Sequence, residues 1–115
     1  MIYLWKQDAI NHAKECDPEE SCGIVGKLNN KEKYFPCKNI SSELKLESFI
    51  IDPDDYANVE DAVDEITGIV HSHPQNILEF SSADKYSCKS INITFYLVSP
   101  KSDKIAVLNP DEIDA

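Results

Sequence analysis

His71-Ser72-His73-Pro74, followed by Ser81-Ser82-Ala83-Asp84, brings two imidazoles and one carboxylate into a short stretch of chain. Such a set can hold a divalent ion through three protein ligands and leave a fourth position to water. That open position marks catalytic zinc, whereas structural zinc is closed by four protein ligands. On an extended strand, residues two apart point to the same side, roughly 6–7 Å between Cα atoms. His71 and His73 can therefore converge on one ion while Ser72 faces the other way, and Pro74 stops the ladder. Asp84 is expected in the first turn of a helix opening at Ser81, able to swing back toward both rings. An H-x-H pair on its own is common without any metal. Ser81 with an acid three residues on is also the capping-box pattern. The two readings of Ser81 are compatible, since it can cap the helix and still present its hydroxyl to a bound oxygen.

A hydrolytic metal also needs a proton carrier. Glu20, in Glu20-Ser21-Cys22-Gly23, leads the candidates, and charge alone does not separate it from Glu19 or Glu79. A carboxylate suits the task because water on zinc has a pKa lowered toward about 7; the acid can take that proton and pass it to a leaving amine. The remaining histidine, His12, falls in the polar part of a first helix and reads as a surface residue.

The elements that must position these groups follow from the apolar spacing. A first helix is expected over about Lys6 to Cys16, with Ala9, Ile10, Ala13 and Cys16 as its buried stripe and Pro18 ending it. A strand from Cys22 to Leu28, a turn at Asn29-Asn30-Lys31 and a return strand at Tyr34-Phe35-Pro36-Cys37 form a hairpin, with Pro36 arguing for an edge or a bulge. Phe49-Ile50-Ile51 reads as a third strand. The second helix has the clearest start: Asp52 as N-cap, Pro53 at the first helical position, Asp54 and Asp55 at the positive end of the dipole. Tyr56, Val59, Val63 and Ile66 then recur at helical spacing. Gly68-Ile69-Val70 is a buried strand leading into the histidines. After a loop from Pro74 to Phe80 come a third helix at Ser81 and strands over Ile93 to Ser99 and Ile105 to Leu108. Strands and helices without regular βαβ alternation favour an α/β fold with a mixed sheet flanked by helices over a doubly wound sheet.

With 115 residues, 42% of them apolar, the chain is expected to form one domain over 1–115 with a modest core. No run approaches the length of a membrane span, and Met1-Ile2-Tyr3-Leu4-Trp5-Lys6 lacks the layout of a secretory signal. The expected location is the cytoplasm, and without secretion the Asn39 and Asn92 sequons carry no meaning. Net charge is −10 and arginine is absent. Neither nucleic acid nor an anionic membrane surface is an expected partner. Cys16, Cys22, Cys37 and Cys88 include no C-x-x-C pair, which removes a zinc knuckle and a thioredoxin-like site and leaves small buried hydrophobes.

Taken together, Glu20-x-Cys22-Gly23, His71-Ser72-His73-Pro74 and Ser81-x-x-Asp84 resemble the signature of the JAMM (MPN+) metalloproteases, in order and at familiar spacing. The resemblance implies that His71, His73 and Asp84 hold Zn2+, that Glu20 rather than Glu19 is the general acid/base, and that Ser81 helps stabilise the tetrahedral intermediate. It also implies the cytidine-deaminase-like α/β/α architecture. A narrower resemblance rests on Pro18-Glu19-Glu20-Ser21-Cys22-Gly23, on Tyr34 to Ser41, and on Phe49-x-Ile51-x-Pro53-x-Asp55-Tyr56. These look like the N-terminal domain of the lambdoid phage tail assembly protein K family. That family usually continues into an NlpC-type cysteine peptidase domain. This chain stops at Asp111-Glu112-Ile113-Asp114-Ala115, so the second domain is expected to be absent from it.

The resulting expectation is a zinc-dependent peptidase or isopeptidase of phage or prophage tail assembly, acting on a protein or peptide substrate, with tail components as partners. Ubiquitin binding is unsupported, because the segments around the histidines are short. The alternative is a non-catalytic MPN-type scaffold or interaction module of the tail tip, although inactive relatives generally lose metal ligands and this chain keeps them. A nucleotide deaminase would need His-x-Glu and Pro-Cys-x-x-Cys, and neither occurs.

Overall fold

The computed structural model describes residues 2–41, 49–75 and 77–113. The elements in chain order are α1 (Lys6–Cys16), β1 (Cys22–Leu28), β2 (Lys31–Cys37), α2 (Pro53–Ala62), β3 (Glu65–Ser72), α3 (Ser82–Ile91), β4 (Thr94–Val98) and β5 (Ala106–Leu108), followed by a short 3-10 turn at Pro110–Glu112. The five strands form one sheet in the order β2-β1-β3-β4-β5, in which β3 and β4 run parallel and the other neighbours antiparallel. This is the mixed α/β sheet expected from the element order.

Both faces of the sheet are covered, and the strand sequences give the reason. Successive strand residues point to opposite faces, and the central strands carry apolar residues in adjacent pairs: Ile24 and Val25, Ile69 and Val70, Phe95 and Tyr96. Val25, Val70 and Tyr96 pack with Tyr34, Val98 and Trp5 under the Ala9, Ile10 and Ala13 stripe of α1. Ile24, Ile69 and Phe95 pack on the other face with Cys22, Cys37, Val59 of α2 and Cys88 of α3. Full burial of a side chain such as Phe95 or Ile24 contributes roughly 1.5–3 kcal/mol. Cys16, expected in the α1 stripe, is only half-buried.

The hairpin turn is tighter than expected. Asn29 and Asn30 both take left-handed backbone, φ 53° and 64°, and Lys31 already belongs to β2. Two residues of positive φ match the twist of paired strands, and asparagine tolerates that region. Pro36 sits on β2, which is indeed an edge strand. The start of α2 is as read: the Asp52 side chain accepts from the Asp54 N–H at 2.9 Å, with Pro53 next.

Two expectations are corrected. Phe49-Ile50-Ile51 is not a strand; Ile51 makes a single antiparallel bridge to Asn39 just beyond the end of β2. The second helix ends at Ala62, so Val63 and Ile66 are not on it: Val63 is extended and Ile66 lies in β3. Both side chains still pack against the α2 side of the core. Their spacing recorded membership of that core rather than helicity. The last two strands lose a residue or so at their expected ends. Among the described residues no helix is long and apolar enough to cross a membrane.

Candidate metal centre

The centre is built where three elements end together. His71 lies near the end of β3, the middle strand, and pairs with Cys22 of β1 and Leu97 of β4. Beyond that pair the chain is still pinned. The Ser72 N–H donates to Ser21 O at 3.1 Å, the Ser21 N–H to Ser72 Oγ at 2.8 Å, and the His73 N–H to Val98 O at 3.1 Å. Continuing the β1–β3 register sets Glu20 across from His73, on the same face as His71. The Asn39 side-chain amide holds this turn by donating to Glu20 O at 3.1 Å, while its oxygen accepts from Ser41 and Ile50 N–H.

His71 is fully buried. Its ring stacks on Phe49 with centroids 4.6 Å apart and planes 20° apart, and Phe80 and Phe95 stand 6.2 Å away. Burial pushes its pKa down, against the pull of the Asp84 carboxylate, so the ring is neutral, the form that binds a metal. His73 is half-buried, and its Nδ1 lies 3.1 Å from Ile77 O. A proton on Nδ1 donates to that carbonyl, which leaves Nε2 turned to the site, a tautomer arrangement typical of metal-binding histidines. Contact with Asp84 raises the His73 pKa, opposed by burial.

Asp84 is presented by the first turn of α3. Ser81 Oγ accepts from the Asp84 N–H at 3.1 Å and Asp84 Oδ2 accepts from the Ser81 N–H at 2.9 Å, a complete capping box. The same Oδ2 stands 3.2 Å from His71 Nε2 and 3.7 Å from His73 Nε2. Burial works to raise the Asp84 pKa, but contact with the two imidazoles overrides it and holds the carboxyl well below the usual carboxylate range.

These residues fit a divalent ion. Among the described residues, neither ring nitrogen of the buried His71 has an aligned hydrogen-bond partner, despite the close carboxylate. Leaving such groups unpaired costs about 1–3 kcal/mol each, and a cation in front of Nε2 removes the cost at that atom. Glu20, His71 and His73 each offer a ligand atom within 4.8 Å of the others. Donors each about 2 Å from one zinc stand at most about 4 Å apart, so these atoms need no more than a small inward movement to close on an ion. Glu20 is buried beside the rings, whereas Glu19 and Glu79 are exposed. Cys22 and Cys37 are buried, and burial pushes both thiols up to about 12, so they are inert hydrophobes as read.

His12 departs from the surface reading. It is partly buried, with Nδ1 2.6 Å from the Tyr34 hydroxyl, on the α1 side of the sheet away from the centre. Two contributors were missed in the sequence: Asn39, noticed only as a sequon, and Phe49, read as strand. Both lie in stretches that carried the phage-protein resemblance, which was the available signal.

Residues 5–109 match the family model described as prokaryotic homologs of the JAB domain. The chain belongs to this family. Over 104 residues it is 38% identical to the tail tip assembly protein K of Escherichia phage N15, a match covering 90% of this chain and 42% of that protein. The JAB domain described here therefore spans about two fifths of that relative's length. Among solved structures it resembles a protein from Desulfitobacterium hafniense (TM-score 0.70, 20% identity, 90% of this chain and 76% of that one). It also resembles a JAB1/MPN domain protein from Archaeoglobus fulgidus (TM-score 0.62, 15% identity, 93% and 85%). These two likenesses establish the α/β/α fold.

Proposed function

We propose that this JAB domain is a zinc-dependent peptidase or isopeptidase that cleaves an amide bond during phage or prophage tail assembly in the host cytoplasm. The observation that carries the reading is the fully buried His71, its nitrogens without aligned partners among the described residues, facing Asp84 beside His73 and Glu20. His71, His73 and Asp84 would hold a divalent ion, which when bound would supply a Lewis acid and lower the pKa of water. Glu20 would take a proton from the attacking water as the water oxygen adds to the amide carbon. The same carboxylate delivers the proton to the nitrogen as the C–N bond breaks, a role worth typically 10²–10⁴-fold in rate. Ser81 Oγ accepts from the Asp84 N–H, which leaves its own hydrogen to donate to the carbonyl oxygen as charge develops there. One such donor typically contributes about 3–4 kcal/mol. Asn39 acts through Glu20 by fixing its backbone.

The reading is tested by incubating the zinc-loaded chain with phage tail components and searching for new termini by mass spectrometry. New termini absent from a His71→Ala/His73→Ala control support it. Near-zero zinc in both proteins after purification from metal-poor medium would defeat it.

One observation favours a second reading. The phage relative is named for assembly rather than for cleavage, which suits a non-catalytic module that docks on other tail proteins. That reading expects tail-protein binding that persists in the His71→Ala/His73→Ala variant, without new termini.

A further inference from the structure

The metal centre opens into a cavity of about 540 Å³ whose wall is chemically divided. Glu20, His73, Ser81 and Asp84 gather in one part of it. Among the described residues, no other ionised side chain lines it. The floor is Ile69 and Phe95 of the sheet, and Phe49 and Tyr56 close the side toward α2. On α3, Asp84, Ser87 and Ile91 share the cavity-facing side at helical spacing, so this wall extends roughly 10 Å beyond the carboxylate at ~1.5 Å per residue. Ile50 and Ile91 stand at the cavity 55% and 50% exposed, large apolar side chains left in water.

An apolar chamber that starts at a hydrolytic centre fits a particular substrate feature. We propose that it seats a large apolar side chain, aromatic or branched aliphatic, on the residue flanking the scissile amide, with Ser87 and Ile91 as specificity-determining residues. The assignment rests on the hydrolase reading above. A lysine or glutamate side chain entering the chamber would lose its hydration with no opposite charge beyond the centre to replace it. A glycine or alanine would leave the chamber unfilled and gain little from burial.

The test titrates the metal-free chain with N-acetyl amides of phenylalanine, leucine, alanine and lysine, followed by backbone NMR shifts. The phenylalanine and leucine amides are expected to bind roughly tenfold or more tightly than the other two, with the largest shifts along α3. Ser87→Trp fills the chamber and should abolish that preference. Ile91→Lys, at a half-exposed site that tolerates charge, should weaken it while zinc uptake stays unchanged. Equal affinity for all four amides, or a preference untouched in both variants, overturns the assignment. Peptides carrying the same residues, offered to the zinc-loaded chain, report on hydrolysis separately. An apolar binding preference without cleavage supports the chamber and sinks only the hydrolase reading. Cleavage without an apolar preference sinks only the chamber.

Discussion

Glu20 and Asp84 are both buried carboxylates beside the same pair of imidazoles, and their surroundings differ in ways that suit them to different work. Asp84 has its oxygen fixed by the Ser81 N–H and held ionised against burial by both rings, which suits a permanent cation ligand. Glu20 sits two residues ahead of β1 with its backbone clamped by Asn39, and it is close enough to both histidines to be a ligand itself. Glu20→Gln separates the alternatives, because it preserves shape and removes only the ability to carry a proton. As a proton carrier, the variant keeps its zinc by elemental analysis while cleavage falls by about 10²–10⁴-fold. Loss of zinc would make Glu20 a ligand, and full activity would move the role to Glu19 or Glu79. Asp84→Asn keeps an oxygen able to accept from the Ser81 N–H but loses the charge. Zinc affinity should fall by at least about tenfold, while the helix start loses no more than the ~0.5–2 kcal/mol of a capping contact. Unchanged affinity in a competition titration would remove Asp84 from the ligand set.

The strands that deliver these residues depend on close approaches that no hydrophobic pattern reveals. Tyr96 of β4 lies over Gly68 of β3, so a Cβ there would meet ring atoms at 2.5 and 2.9 Å, and Tyr34 of β2 covers Gly23 of β1 in the same way. Each ring is wedged beneath α1 with the rest of that core. Gly68→Ala should therefore cost about 1–3 kcal/mol, read as a lowered denaturation midpoint, and a neutral result would mean the ring can slide aside. Helix α2 announced its start because Asp52-Pro53-Asp54-Asp55 is local chemistry, satisfied within one turn. Its end is not legible in the same way, because Val63 and Ile66 are apolar for a tertiary reason: they face the same core from extended backbone beyond the helix. The convergence of His71, His73 and Asp84 was legible because strand and helix periodicities act over a few residues. Phe49 over His71 and Asn39 under Glu20 were not, since they depend on where a distant segment crosses the end of the sheet.

At the scale of the whole molecule, one polar contact ties the helical layer to the edge of the sheet, and it is sensitive to pH. Burial pushes the Tyr34 hydroxyl well above its ordinary pKa, so it keeps its proton and donates to His12 Nδ1, 2.6 Å away across the α1–β2 boundary. The contact requires a neutral imidazole. Burial accordingly lowers the His12 pKa, with the neighbouring Glu15 pulling the other way. A base whose folded-state pKa is depressed contributes stability that is fully present above its unfolded value of about 6.5 and is lost as pH falls through the folded one. His71 shifts in the same direction and adds to the loss, while His73 is raised and contributes on the acid side. Relief of the net −10 charge as the solution approaches pI 4.6 also favours the folded chain at low pH. The total pH profile therefore mixes opposing contributions, and the His12 part is isolated by difference. Comparing the metal-free protein with His12→Gln by denaturant midpoint, the stability advantage of histidine should be constant above about pH 7 and shrink steadily below 6.5. An advantage that stays level down to pH 5 would mean that the Tyr34 contact survives protonation and that His12 does not couple α1 to the sheet in this way.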